Sequence, residues 1–327
     1  MAELTGTMVS ALPQAGRQAR RQWPLFVLIG LGLYAGLYLW AESLVHEYGE
    51  RNRFFMVAEA PPQTYDFAIL GASHAMPLSY EEFNDVMEAE SGGSIMNLSI
   101  EGAGILPNRL VLDYFLQRHQ ARNVVFFLDS FAFYSPQWNE DRLDSALLAR
   151  APLDVDLVTT LARYPWARDE LLPYISGFTK INNHDRFAPD RSDAELNKFD
   201  KIYRPIPQID RERVAFLYPA EISDSEFARY LGEFGALIDM AEEHGGRFIV
   251  VKSPTPVRYR DALPDEAAFD AAVAELLEAR NVAYHDFSEV LPDDVNYYDT
   301  DHLNETGVAA FIDTHFAPLL RLHAAGN

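Results

Sequence analysis

From residue 22 to residue 41 no charged side chain interrupts the chain, and the central run "PLFVLIGLGLYAGLYLW" is apolar on every face. Twenty residues at about 1.5 Å each match a hydrocarbon core of roughly 30 Å, so the pattern predicts a membrane-spanning helix. From residue 65 the rhythm shortens. "DFAIL", "SIMNLSI", "NVVFFLD", "RFIVVKS" and "VAYHDF" are short apolar runs, as strands covered on both faces are. Between them, "PNRLVLDYFLQRH", "SEFARYLGEFGALIDMAEEHG", "EAAFDAAVAELLEARN" and "NETGVAAFIDTHFAPLLRLH" repeat apolar residues at helical spacing, and a further helix is expected near residues 79–90. Alternation of strand and helix predicts an α/β sandwich with a mainly parallel sheet. Residues 130–222, rich in Pro, Asp and Arg, break the alternation and read as an insertion with short helices of its own. The expected organisation is a cytoplasmic tail (1–22), a transmembrane anchor (23–41), a stalk (42–64) and one domain (65–327).

Charge refines this picture. Arg17, Arg20 and Arg21 precede the apolar run, and Glu42, Glu47 and Glu50 follow it. The positive-inside rule then places the N-terminus in the cytoplasm and the domain outside, in the periplasm or its equivalent. Trp23, Tyr38 and Trp40 stand near the ends of the run, where interfacial aromatics belong. The run is long for a signal peptide and no clear small-x-small cleavage site follows it, so an uncleaved anchor is expected. Gly32 and Gly36 form a small-xxx-small pair that can pack on another helix. A net charge of −22 argues against nucleic-acid binding, which needs a basic surface. There is no cysteine, so disulfides and thiolate metal sites are excluded.

Chemistry is expected where ligands bind in such sheets, beyond the C-terminal ends of the strands. Ser73 in "GASHA" follows the first strand, and His302 in "YYDTDHLNETG" precedes the last helix. A serine hydroxyl becomes a nucleophile when a base takes its proton, and a histidine suits that work when a carboxylate orients it. Asp299, three residues before His302, is the expected orienting group, with the adjacent Asp301 as the fallback. Asp299, Asp301 and His302 can also be read as ligands for a hard cation. No second histidine stands at ligand spacing, so no metal and no other cofactor is expected. His74 reads as lining the pocket or touching substrate. Asn97 reads as a turn-holding hydrogen bond, with substrate contact as the sharper alternative, and Asp286 as structural.

Four stretches resemble the SGNH, or GDSL-type, hydrolases and acyltransferases. "ILGASHA" resembles the first family block and "NLSIEGAG" the second, while "VVFFLDS" occupies the place of the third and "YYDTDHLNETG" resembles the last. The resemblance covers residues 65–129 and 223–320. It implies a flavodoxin-like three-layer sandwich, Ser73 as nucleophile, His302 and Asp299 as its partners, and an oxyanion hole made by the Ser73 and Gly102 N–H groups. The third block usually supplies an asparagine to that hole. Here it has Asp129 and Ser130, an anion that would oppose an oxyanion and a hydroxyl that could assist it.

With the anchor, the pattern is similar to membrane-bound SGNH proteins of polysaccharide- and teichoic-acid-acylating systems, which work beside an acyltransferase of the MBOAT class. The expected function is extracytoplasmic O-acyl transfer, of acetyl groups, to a cell-surface glycan. The alternatives are a carbohydrate esterase and a non-catalytic SGNH-like scaffold. The insertion is expected to cap the triad and set the acceptor, with Trp138, Tyr164 and Trp166 stacking on sugars and Lys180, Lys198, Lys201 and Arg204 meeting an anion. The other reading packs it against the stalk or the membrane.

Overall fold

The computed structural model describes residues 12–143, 145–184 and 197–324; most of the charge-rich run "HDRFAPDRSD" lies outside them. The chain opens with one unbroken helix, α1 (Leu12–Tyr48), whose segment Gln22–Tyr48 is long and apolar enough to cross a bilayer. Most side chains of its apolar stretch are exposed: Phe26 is 75% exposed and Leu39 72%. Residues 42–64, read as a stalk, are packed rather than free. α1 runs on through them with Ala41 and Val45 buried, and α2 (Arg53–Glu59) seats Phe54 and Val57 in the core. Asn52 accepts the Phe54 and Phe55 N–H groups and so starts α2.

Five parallel strands follow: β1 (Thr64–Leu70), β2 (Ile95–Asn97), β3 (Gln120–Leu128), β4 (Arg247–Lys252) and β5 (Ala283–Asp286). Their order is β2-β1-β3-β4-β5, the doubly wound flavodoxin-like arrangement. Because side chains alternate along a strand, each strand feeds two separate cores. Ala68, Leu70, Val124, Phe126, Phe248 and Val250 face one layer, formed by α2, α4 (Ile105–Leu116) and later helices. Phe67, Ile69, Val125, Phe127, Ile249 and Val251 face the other, where α3 (Phe83–Ser91) meets the C-terminal helix. The insertion contributes α5 (Val155–Arg163), α6 (Leu171–Ser176), α7 (Phe178–Ile181) and α8 (Pro207–Leu217). The alternation resumes with α9 (Asp224–Glu243) and α10 (Glu266–Ala279). The last helix is not continuous: a π-turn at Ile312–Phe316 divides Glu305–Phe311 from Ala317–Ala324.

The sheet order reverses between β1 and β3, so the crevice expected for a ligand opens at the ends of these two strands. β1 leaves the sheet at Gly71, whose φ of 142° is open only to glycine, and whose missing Cβ would stand 2.8 Å from Phe127 Cβ. That close crossing positions the next turn. Gly71→Ala should therefore destabilise the fold by at least about 1–3 kcal/mol, the cost of such a backbone alone, seen as a lower denaturant midpoint with an unchanged slope.

Candidate active site

Ser73 opens a 3-10 turn, Ser73–Ser79, directly after β1 and Gly71. At such an end the first N–H groups have no partner within the turn. Across the crevice, the "DTDH" segment folds on itself. Asp299 Oδ1 accepts the N–H groups of Asp301 at 3.1 Å and His302 at 2.8 Å. This Asx-type turn swings the same carboxylate onto His302 Nδ1, at 2.9 Å from Oδ2 and 3.0 Å from Oδ1. With Nδ1 donating, Nε2 presents its lone pair. His302 Nε2 is buried and has no hydrogen-bond partner among the described residues. Tyr298 stacks on the ring at 5.7 Å and fixes its plane.

Ser73 and His302 meet through His74, whose ring centroid lies 4.9 Å from that of His302. Ser73 itself is 7% exposed, and no hydrogen bond joins its Oγ to another described residue. The serine–histidine bond of a loaded triad is thus not formed. Such bonds often tighten only when substrate binds.

His74 is the residue that sequence reasoning placed least well. Its Nδ1 lies 2.6 Å from Asp129 Oδ1 and its Nε2 3.3 Å from Asp301 Oδ2. Burial disfavours the imidazolium, yet the two carboxylates hold its pKa up to about 10. The expectation that Asp129 would stand as a bare anion beside an oxyanion is corrected here: His74 neutralises it. Asp301 in turn is gripped by Arg213 from α8, through Nε at 3.1 Å to both oxygens and Nη2 at 2.9 Å to Oδ2. Burial alone would raise the Asp301 carboxyl, but Arg213, His302 and His74 hold it far below the usual range. Burial likewise lowers His302, and Asp299 and Asp301 outweigh it, so the net shift is upward. The His74 cation pulls His302 the other way.

A second histidine is therefore present in space, though not in sequence spacing. Ligand atoms of His74, Asp301 and His302 lie within 4.8 Å of one another. The set fits a cation poorly. Asp301 already accepts the Arg213 guanidinium, and His74 keeps a proton between two carboxylates. The cluster is an acid–base network before it is a metal cradle.

The other candidates divide. Gly102 has a φ of 62° and packs on Trp138, where a Cβ would stand 2.9 Å from the indole. Its N–H donates to no backbone carbonyl among the described residues. Asn97 is committed elsewhere: Nδ2 donates to Ala75 O at 2.8 Å, and Oδ1 accepts from Ser99 N and Oγ at 3.0 and 2.6 Å. It holds the turn. Ser130 Oγ donates to Glu266 Oε2 at 2.7 Å and pairs with Tyr218 Oη at 2.7 Å, which commits its hydroxyl to these two partners. Trp138 offers no open face. It is buried between Phe131, Phe216 and Gly102, and its Nε1 donates to Leu217 O at 2.8 Å. Tyr164 and Trp166 stack on each other at 4.5 Å instead of awaiting a sugar. A polar pocket opens beside His74, lined among others by Asp129, Ser253, Thr255, Tyr259 and Arg260. Asp129 Oδ2 and Ser253 Oγ, both on its wall, are unpartnered among the described residues.

No protein-family model and no curated protein matches the sequence. Among solved structures, a protein assigned as an acylhydrolase from Bacteroides fragilis is similar at a TM-score of 0.43 and 8% identity, over 82% of this chain and 94% of that one. A family two carbohydrate esterase from Clostridium thermocellum, solved with cellohexaose, is similar at 0.39 and 10%, over 81% of this chain and 64% of the other. Likeness at this level transfers no chemistry.

If His302 is the base, kcat/KM for a small activated ester rises with pH as His302 loses its proton, with a midpoint above the ordinary value of about 6.5. Asp299→Asn should move that midpoint down and lower kcat by about 10³–10⁴-fold. His74→Gln should move it up, because a neighbouring cation is gone. A midpoint that stays put in both variants removes His302 from the role. The fold should report on His74 separately. Its folded pKa of about 10 exceeds its unfolded value, so its stabilisation is complete below about pH 6.5 and is lost as pH rises toward 10. Urea midpoints of the wild type should fall across that window, and those of His74→Gln should fall less.

Proposed function

We propose that the chain is a membrane-anchored serine acyltransferase or esterase of SGNH type, acting outside the cytoplasm on an acylated glycan. One observation carries the reading. His302 is oriented by Asp299, and its buried Nε2 stands unpartnered next to the turn that bears Ser73. An imidazole whose Nδ1 is held by a carboxylate and whose Nε2 lone pair has no partner is arranged as a general base is.

In the reaction, Ser73 Oγ attacks the carbonyl carbon of the donor ester while its proton passes to His302 Nε2. The N–H groups of Ser73 and Gly102 receive the oxyanion. When the C–O bond of the leaving alcohol breaks, His302 returns the proton to that oxygen, leaving an acyl-serine. An acceptor hydroxyl then gives its proton to His302 and attacks the acyl carbon; the bond from that carbon to Ser73 Oγ breaks, and His302 returns the proton to Oγ, restoring the free serine. Asp299 stabilises the imidazolium formed in each half. Water as acceptor makes the enzyme an esterase, and a sugar hydroxyl makes it a transferase. The length and apolarity of Gln22–Tyr48, with arginines before its uncharged run at residues 22–41 and acids after that run, support anchoring with the domain outside. An anchored domain sits beside a membrane-borne acyl donor, which favours transfer and an MBOAT-class partner.

A non-catalytic scaffold is the second reading, favoured by the missing Ser73–His302 hydrogen bond. Ser73→Ala should reduce turnover of p-nitrophenyl acetate by about 10⁴-fold or more, and abolish labelling by a fluorophosphonate, with an unchanged far-UV spectrum. Wild-type protein that neither turns over the ester nor takes the label is the scaffold.

A further inference from the structure

The insertion does two separate things. Its later part covers the site: Arg213 holds Asp301, Tyr203 N donates to Tyr297 O at 2.8 Å, and Tyr218 lines the pocket. Its earlier part, the α6–α7 hairpin, lies instead along α1. Tyr34 Oη donates to Ser176 O at 3.0 Å. A Cβ added at Gly177 would stand 2.5 Å from the Tyr38 ring, so that ring packs directly on the Gly177 backbone. Lys180 is buried against Glu42, under the rings of Tyr38 and Tyr174.

These contacts fix a depth. The uncharged run of α1 begins after Arg21 and ends at Glu42. Crossing a bilayer takes about 20 residues, so the run has none to spare and its lipid boundary on the domain side falls near Glu42. Tyr34 precedes Glu42 by eight residues, about 12 Å along the axis, and helical side chains lean toward the N-terminus. Whatever Tyr34 and Tyr38 touch therefore lies below the boundary. The hairpin is built for that place. Between residues 171 and 181 the sole charged side chain is Lys180, and Glu42 neutralises it. Meanwhile Leu172 is 73% exposed and Phe178 52%, with Ile175 half-exposed beside them.

We propose that the α6–α7 hairpin is embedded in the lipid leaflet on the domain side, roughly 5–10 Å deep as interfacial helices are, and that it seats the domain on the bilayer. The occupant of its apolar face is lipid acyl chain. The proposal rests on the reading that α1 spans the membrane.

The natural chain has no cysteine, so single labels are clean. Full-length protein in nanodiscs of phosphatidylethanolamine and phosphatidylglycerol would carry an environment-sensitive fluorophore at Leu172→Cys, Phe178→Cys, Leu31→Cys or Glu242→Cys. The expected result is a blue shift and loss of iodide quenching at positions 172, 178 and 31. A lipid quencher attached high on the acyl chain should act most strongly at 172 and 178, and one attached low on the chain at 31. Glu242→Cys, on the exposed surface of α9, should stay open to iodide. Iodide quenching at 172 and 178, with position 31 protected, overturns the hairpin's placement and leaves the anchor standing. Iodide quenching at position 31 as well overturns the anchor itself.

Discussion

The Asp301 carboxylate is the constraint on which the site depends. It has no exposed side-chain surface, and burying a lone anion is prohibitively costly unless it is paired and hydrogen-bonded. Its partners come from two distant stretches and from its own loop: His74 from the turn after β1, Arg213 from the insertion, and the adjacent His302, 3.6 Å away through Nδ1. Removing one partner of such a group costs about 3–5 kcal/mol, since the charge left behind is uncompensated. The turn bearing Ser73 and the loop bearing His302 are therefore held in register by electrostatics as well as by the sheet. The crevice is complete only when the insertion is folded over it.

The same network accounts for an acidic residue at the end of β3. Asp129 and His74 form a pair 2.6 Å apart, so the end of β3 presents no bare negative charge to the crevice. The pair also stands against His302, where its cation opposes the pull of Asp299 and Asp301 on the same ring. The His302 ring is thus tuned by opposing neighbours, and its proton affinity belongs to the whole cluster.

Local chemistry was legible in the sequence, and distant pairing was not. The strands showed as apolar runs because each lies between two cores. Asp299 and His302 showed because an Asx turn is a property of four adjacent residues. His74 and Arg213 did not, since nothing in "GASHA" or "RERVAF" says that each ends on Asp301. Trp138 and Lys180 were read as open to a ligand because composition cannot tell a surface aromatic or cation from one folded inward. Residues 42–64, which end near "APPQ", were read as a stalk between the apolar run and the first strand. Phe54 and Val57, three apart on α2 and both buried, seat that segment in the core.

α1 has no joint between its apolar segment and Tyr48, and its C-terminal turns are clamped by Glu42, which takes the Leu153 N–H at 2.6 Å as well as Lys180. Gly32 and Gly36 lie on the same rod with nothing within 4 Å of where a Cβ would stand. A shaft of this kind transmits torque. A neighbouring helix seated on those glycines would set the compass bearing of the whole domain, and with it the side from which the mouth of the crevice meets that neighbour.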